Sequence, residues 1–223
     1  MLLQTLRGGD LQGFLISLLL SLPIVLLSLS VHETAHGLVA YKLGDPTAKS
    51  LGRLTLNPIK HINPIGFLCM VLCGFGWANP VPINTRYFKN PKRDMALSAL
   101  AGPLSNLILA ILFALLLRLE YAVMDAVTLT DANFMVFYFL NTFFKLGITL
   151  NITLAVFNLI PCPPLDGSRI FFYFLPPNLY FKVMQYERYI ALALMLALFV
   201  GLLDTPIHYV SNFFLNLIYR VIF

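Results

Sequence analysis

The sequence predicts an all-α polytopic membrane protein with about five transmembrane helices and a re-entrant, β-hairpin-like segment. Of its 223 residues, 59% are hydrophobic and 11% are charged, and the mean hydropathy is +0.81. Soluble domains average about 25% charged residues, so this composition excludes a soluble globular class. The length suits one membrane-embedded domain over residues 1–223, with a core at about 11–175 and C-terminal helices at about 187–223.

Five apolar runs account for the predicted spans. The first runs from Leu11 to about Leu43, and Gly44-Asp45-Pro46 ends it. A helix of this length measures about 50 Å, which exceeds the hydrocarbon core of about 30 Å. It must therefore tilt, protrude or kink, with Pro23 as the expected kink. The other runs cover residues 94–118, 133–160, 187–203 and 207–223.

The segment from Pro64 to Asn84 is expected to enter and leave the membrane on the same side. Its apolar part covers about 11 residues, which is too short to span, and glycines and prolines follow it. Loops rich in lysine and arginine flank the segment, at residues 42–60 and 86–93. The positive-inside rule then places both loops in the cytoplasm and the N-terminus outside. The acidic connection at 119–132 falls outside, and the loop around Asp166 returns to the cytoplasmic side.

The first apolar run ends in an H-E-x-x-H motif, formed by His32, Glu33 and His36. Histidines four residues apart lie one turn apart on the same helix face, so both can reach one Zn²⁺. The glutamate between them can deprotonate the attacking water. Ionisable side chains inside a membrane span are costly and are functional candidates. The alternative interpretation is a set of satisfied polar groups that bridge packed helices.

A catalytic zinc needs a third protein ligand, and four residues are candidates: His61, Cys162, Asp166 and His208. Asp166 is the strongest candidate, because it follows a proline-rich break after an apolar run and its carboxylate offsets part of the Zn²⁺ charge. The competing interpretation of Asp166 is an ordinary turn aspartate before a glycine. His61 is expected to be a solvated or interfacial imidazole, and Cys162 and His208 are expected to have structural or interfacial roles.

Three motifs together resemble the site-2 proteases, a family of intramembrane zinc metalloproteases, and they cover residues from about 30 to 170 in the family's order. A further stretch, residues 77–84, resembles the membrane-embedded β-hairpin of the short family members. The chain is similar to a short form without PDZ or CBS domains. The motifs are His32-Glu33-Thr34-Ala35-His36, Gly102-Pro103-Leu104-Ser105-Asn106, and the N-x-x-P-x-x-x-L-D-G pattern from Asn158 to Gly167.

The resemblance implies that His32, His36 and Asp166 bind one Zn²⁺ per chain and that Glu33 activates water. It implies that Asn158 stabilises the oxyanion or positions the substrate. A substrate helix must unwind before cleavage, and the segment at 64–84 could hold the unwound peptide by strand addition. Substrate contacts are accordingly expected at four positions: Asn79, Pro80, Val81 and Asn106.

The function implied is hydrolysis of peptide bonds within or near transmembrane helices of other membrane proteins. The expected partners are transmembrane protein substrates and the lipid bilayer. The basic residues sit in short loops and form no nucleic-acid-binding stripe, and no pattern signals an oligomeric state. We expect a multi-pass protein of the cell membrane with its active site toward the cytoplasm. The alternatives are a transporter or ion pathway that uses the His/Glu cluster as a relay, and an inactive homologue that binds membrane helices.

Overall fold

Helices dominate the structure, a computed structural model that describes residues 11–223 apart from 74–75, 129, 177–178, 180–181 and 184. Short 3₁₀ turns at Pro58–Lys60 and Thr85–Tyr87 lie between the helices. The α-helices in these ranges are α1 (Leu11–Lys42), α2 (Thr47–Ser50), α3 (Pro64–Cys73), α4 (Pro91–Ala126), α5 (Asp131–Asn158), α6 (Asp166–Phe172), α7 (Glu187–Phe199) and α8 (Asp204–Ile222).

Among the described residues, three helices are long and apolar enough to cross a membrane: α1, α4 and residues 133–158 of α5. The predicted first span is confirmed as one helix that continues through Pro23 and ends before Gly44, whose φ is +110°. Helices α7 and α8 meet the same criterion only together, and they are bent by 81° at the break between them. The described residues thus support three spans, or four if the bent pair counts as one, where the sequence predicted about five.

The difference in span count comes from α7. This helix has 13 residues, and the chain turns at Gly201, whose φ is +78°. Thirteen helical residues rise about 20 Å, which is well short of the hydrocarbon core. The apolar run at 187–203 is long enough to predict a membrane span, but hydropathy does not show that the helix ends within the run.

Helix α8 runs antiparallel to α5. Near its start, Ile207 lines an apolar cavity of about 330 Å³ together with Val156 and Ile160 from the end of α5 and the residues after it. At its other end, the Phe223 ring lies 5.7 Å from the Tyr121 ring of α4. The last helix therefore follows the bundle along most of its height.

The core of the bundle lies where α1, α4 and α5 meet. Ile24, Phe113, Leu117, Ile148 and Ile152 form the centre of this cluster and are buried. Lipid tails are as apolar as these side chains, so close packing rather than exclusion of water holds the helices together. The fit is tight at Gly147, where an added Cβ would lie 2.7 Å from the Phe113 ring.

The expected β-hairpin does not form in the part of the segment that is described. Helix α3 occupies its first half, residues 74–75 lie outside the described residues, and extended chain follows to Asn84. Within the described ranges, a single antiparallel bridge between Ile62 and Ala78 is the only β pairing. The Asn79 N–H donates to the His61 oxygen, so the next donor of an antiparallel ladder in this register is the Val81 N–H, and it donates to Oε2 of Glu33 instead.

Candidate active site

Three side chains from two helices converge on one point. His32 and His36 lie one turn apart on α1 and are only 6% and 7% exposed. Their Nε2 atoms are 3.0 Å apart. Oδ2 of Asp166, the first residue of α6, lies 3.1 Å from Nε2 of His32 and 3.3 Å from Nε2 of His36. The break after α5 thus brings the Asp166 carboxylate beside the two imidazoles.

The hydrogen bonds behind the imidazoles fix their tautomers. His32 Nδ1 lies 2.6 Å from Oδ1 of Asn106, and His36 Nδ1 lies 2.7 Å from the backbone oxygen of Ser98. Both partners are acceptors, so each Nδ1 carries the proton and donates it. Each Nε2 therefore presents a lone pair to the centre of the triangle. Three electron-rich atoms at this separation repel one another unless a cation lies between them.

The triangle fits Zn²⁺. In a tetrahedral site with bonds of about 2.05 Å, neighbouring ligand atoms are about 3.3 Å apart, close to the three separations found here. Oδ2 of Asp166 is buried without a hydrogen-bond partner, as a metal ligand would be. Gly102 of α4 leaves the space open, because an added Cβ would lie 2.3 Å from Nε2 of His36 and 2.6 Å from Cε1 of His32. Two histidines and one carboxylate leave a fourth position for water or substrate.

A relay of buried amides holds His32 in place from the far side of the bundle. Nδ2 of Asn106 donates to Oδ1 of Asn151 at 3.0 Å, and Nδ2 of Asn151 donates to the Gly147 oxygen at 2.9 Å. Asn106 and Asn151 are fully buried. Asn106 was expected to contact substrate; its side chain is bonded to His32 and Asn151 in this structure, and the substrate contact itself stays a prediction. The sequence analysis missed Asn151, although a lone amide inside an apolar span was a usable signal.

The extended chain after α3 reaches the glutamate of the motif. The backbone N–H of Val81 donates to Oε2 of Glu33 at 2.7 Å. The Val81 side chain is buried against Gly37 of α1, where an added Cβ would lie 3.0 Å from Cγ1 of Val81. The N–H and the side chain of Val81 are both engaged within the protein, so the substrate contact expected at Val81, which stays a prediction, would have to use its carbonyl.

Of the two residues before Val81, Asn79 has its side chain hydrogen-bonded within the protein, and Pro80 is exposed. The Asn79 side chain donates to the Ile62 oxygen at 3.0 Å and accepts from Asn63 at 3.0 Å, so it serves the fold rather than a substrate. Pro80 is exposed, and its expected contact with substrate stays a prediction.

Asn158 is half-buried at the end of α5, where its Nδ2 donates to the Leu154 oxygen at 2.9 Å. The role that the resemblance implies for Asn158 also stays a prediction.

The other candidate ligands lie away from the triangle. In the described part of the chain, His32, His36 and Asp166 are the one His/Cys/Asp/Glu group close enough to share a metal ion. His61 is 1% exposed and donates from Nε2 to the Thr55 oxygen at 2.8 Å, so the expectation of a solvated imidazole is wrong. Burial raises the pKa of the Cys162 thiol, which disfavours the thiolate that zinc requires. His208 is exposed on α8.

Comparison with known proteins decides the family. The model of Peptidase family M50 matches residues 20–202, a range that includes every member of the triangle and Glu33. The chain belongs to this family, that of the site-2 proteases. The "Putative zinc metalloprotease YwhC" of Bacillus subtilis (strain 168) is 46% identical to the chain over 166 residues, which cover 74% of this chain and 73% of the relative.

Two other relatives carry the name "Putative zinc metalloprotease Rip2". The protein from Mycolicibacterium smegmatis is 33% identical over 148 residues, or 64% of this chain and 52% of the relative. The protein from Mycobacterium tuberculosis (strain H37Rv) is 30% identical over 182 residues, or 79% of this chain and 64% of the relative. No solved structure matches the chain significantly. Membership in M50 makes the chain a peptidase with Zn²⁺ as its metal, and its apolar helices make it a membrane protein.

Proposed function

We propose that this M50 peptidase is an intramembrane endopeptidase that cuts peptide bonds within or near transmembrane helices of other membrane proteins. One observation carries the proposal: two of the three residues of the triangle, His32 and His36, lie on α1, a 32-residue helix apolar enough to span. His36 precedes the end of α1 at Lys42 by six residues, or about 9 Å. The basic loops after α1 and before α4 favour a site toward the cytoplasmic side of the cell membrane.

In this proposal His32, His36 and Asp166 hold one Zn²⁺. Asn106 and the Ser98 carbonyl keep the lone pairs of the two imidazoles pointed at the metal position. When bound, Zn²⁺ polarises the scissile carbonyl and makes the attacking water more acidic. The remaining chemistry belongs to side chains of this protein.

Glu33 is the general base of the proposed reaction. Its Oε2 accepts the Val81 N–H, which leaves Oε1 to take the proton of the attacking water. The same carboxyl then gives that proton to the amine as the C–N bond breaks. Asn158, in the role the resemblance implies, helps to stabilise the oxyanion or to position the substrate.

A substrate helix must unwind locally, because its backbone carbonyls are bonded to amides four residues further on. The stretch from Pro80 to Pro82 beside Glu33 can pair with an unwound substrate backbone only by accepting hydrogen bonds. Pro80 and Pro82 have no N–H groups, and the Val81 N–H already donates to Glu33. We therefore expect strand addition in which amides of the unwound substrate donate hydrogen bonds to the carbonyls of Pro80 to Pro82.

The test is cleavage of a purified single-span membrane protein by the purified chain in detergent, with intact mass spectrometry as the readout. A chelator should abolish cleavage, and added Zn²⁺ should restore it. Glu33→Gln should keep about one zinc per chain, yet lose about 10²–10⁴-fold in rate, because the general base is missing. A transporter or ion pathway cuts no peptide bond, so it would give no cleavage product in this assay. Full activity in Glu33→Gln would also refute the mechanism.

A further inference from the structure

The run of residues 79–84, here called the extended segment, is anchored at both of its ends. At the far end, the Asn84 N–H donates to Oδ2 of Asp45 at 2.7 Å. Asp45 is fully buried, and its Oδ1 accepts the N–H of Thr47 at 3.0 Å and the Thr47 hydroxyl as well. A buried carboxylate must be hydrogen-bonded to be tolerated, so these contacts fix the Asp45 side chain.

At the near end, the Asn79 N–H donates to the His61 oxygen at 2.7 Å, and Arg53 donates from Nη2 to the Asn79 oxygen at 2.7 Å. The loop that carries His61 is itself tied to α1. The Thr55 oxygen accepts from the His61 side chain at 2.8 Å and from the hydroxyl of Thr34 at 2.7 Å. Both anchors of the extended segment therefore lead back to α1, the helix that carries Glu33.

Val81 lies between these anchors and faces Glu33. Proline on both sides leaves Val81 as the sole donor of the Pro80–Pro82 stretch, and its N–H points to Oε2 of Glu33. The approach is close because Gly37 presents no side chain there. An added Cβ at Gly37 would lie 3.0 Å from Cγ1 of Val81 and 2.6 Å from Cδ2 of Leu54.

We propose that Asp45 is a positioning residue for the general base. By holding Asn84, Asp45 keeps the Val81 N–H against Oε2 of Glu33, and this charge-assisted bond keeps Oε1 free and aimed for proton transfer. Asp45 touches neither substrate nor metal in this role. The inference rests on the proposed function of Glu33, because orientation of the carboxylate matters only if it carries protons.

The first test uses Asp45→Asn in the full-length protein. The substituted amide can still accept from Thr47, but it loses an acceptor for the Asn84 N–H. We expect kcat to fall about tenfold, the effect of one lost orienting hydrogen bond, with KM within about twofold and zinc near one per chain. Thr47→Val is the matched control, because it removes a bond to the other Asp45 oxygen and leaves Asn84 held. It should keep the wild-type kcat.

The second test is spectroscopic. The Val81 amide proton should resonate at low field and exchange slowly in the wild-type protein, and its resonance should move in both Glu33→Gln and Asp45→Asn. It should stay in place in Thr47→Val. Gly37→Ala provides an independent route, because the added Cβ pushes Val81 away from α1, and it should lower kcat and move the same resonance while zinc is retained.

Two results would overturn the inference: an unchanged kcat and Val81 resonance in Asp45→Asn, or an equal loss of kcat in Thr47→Val, which would mean a general structural effect. If Asp45→Asn does not fold, Gly37→Ala decides by the same measurements. If the wild-type protein cuts no membrane substrate, the proposed function fails by itself. The dependence of the Val81 resonance on Glu33 and Asp45 would then still decide whether the positioning contact exists.

Discussion

Replacing Gly102 by alanine should remove zinc from the protein. The added Cβ would lie 2.3 Å from Nε2 of His36, about 1 Å short of an ordinary van der Waals contact. Metal–ligand distances tolerate only about ±0.2 Å, so the imidazole cannot both avoid the methyl group and bind Zn²⁺. Weakening an outer partner of a ligand costs about 10–100-fold in affinity, and displacing the ligand itself should cost at least about 100-fold.

The helix propensity of alanine should stabilise α4, so a loss of zinc in Gly102→Ala cannot be attributed to a weakened helix. Alanine favours the interior of a helix over glycine by about 0.5–1 kcal/mol, so α4 itself should not be weakened by the change. Gly147→Ala on α5 is the control for bundle packing, since its Cβ would meet the Phe113 ring and the backbone oxygen that accepts from Asn151 is kept. It should reduce thermal stability while it keeps zinc.

Zinc per chain and zinc affinity, measured by competition with a chromophoric chelator, are the readouts for Gly102→Ala and Gly147→Ala. Wild-type affinity in Gly102→Ala would refute the placement of Gly102 against the imidazoles. Equal zinc loss in both variants would mean that metal binding depends on the packing of the bundle and not on the space that Gly102 leaves beside the imidazoles.

Three further results are expected. Asp166→Asn should lose zinc and hydrolysis, whereas His61→Ala should keep zinc and lose stability, as zinc counts and thermal melts will show; the reverse pattern would reassign the third ligand. Asn106→Leu keeps the branching at Cγ but loses the acceptor for the His32 imidazole, so zinc affinity should fall about 10–100-fold by chelator competition. A single cysteine at Lys49 should label from the cytoplasmic side and one at Asp125 from outside, and labelling of both from one face would contradict the topology.

The parts of the site that sequence could predict are those encoded locally. Helical spacing alone places His32 and His36 on one face, and the proline-rich break alone suggested that Asp166 turns inward. The same reasoning located α1, α4 and α5 and the end of α1 at Gly44. These features depend on residues within a few turns of one another, so periodicity and turn chemistry contain them.

The contacts that sequence could not predict join residues far apart in the chain. Asp45 reads as a turn residue after a helix, and only the folded chain shows it buried against Asn84. The Val81 N–H meets Glu33 across 48 positions, and the Asn106 amide meets Asn151 across 45. The predicted hairpin fails for a related reason, since the Val81 N–H, which would be the next donor of the ladder, bonds the distant Glu33 carboxylate instead.

If the chain cuts membrane spans as proposed, the position of the triangle along α1 determines how far from the membrane surface the cut lies. His36 lies about 9 Å from the helix end at Lys42, a distance that an unwound peptide covers with about three residues. A substrate could therefore keep a charged flank in water while the bond three residues further in reaches the site. Selection would then depend on the distance between the charged residues that flank a substrate span and the part of that span that unwinds readily. The identity of the side chains at the cut bond would matter less.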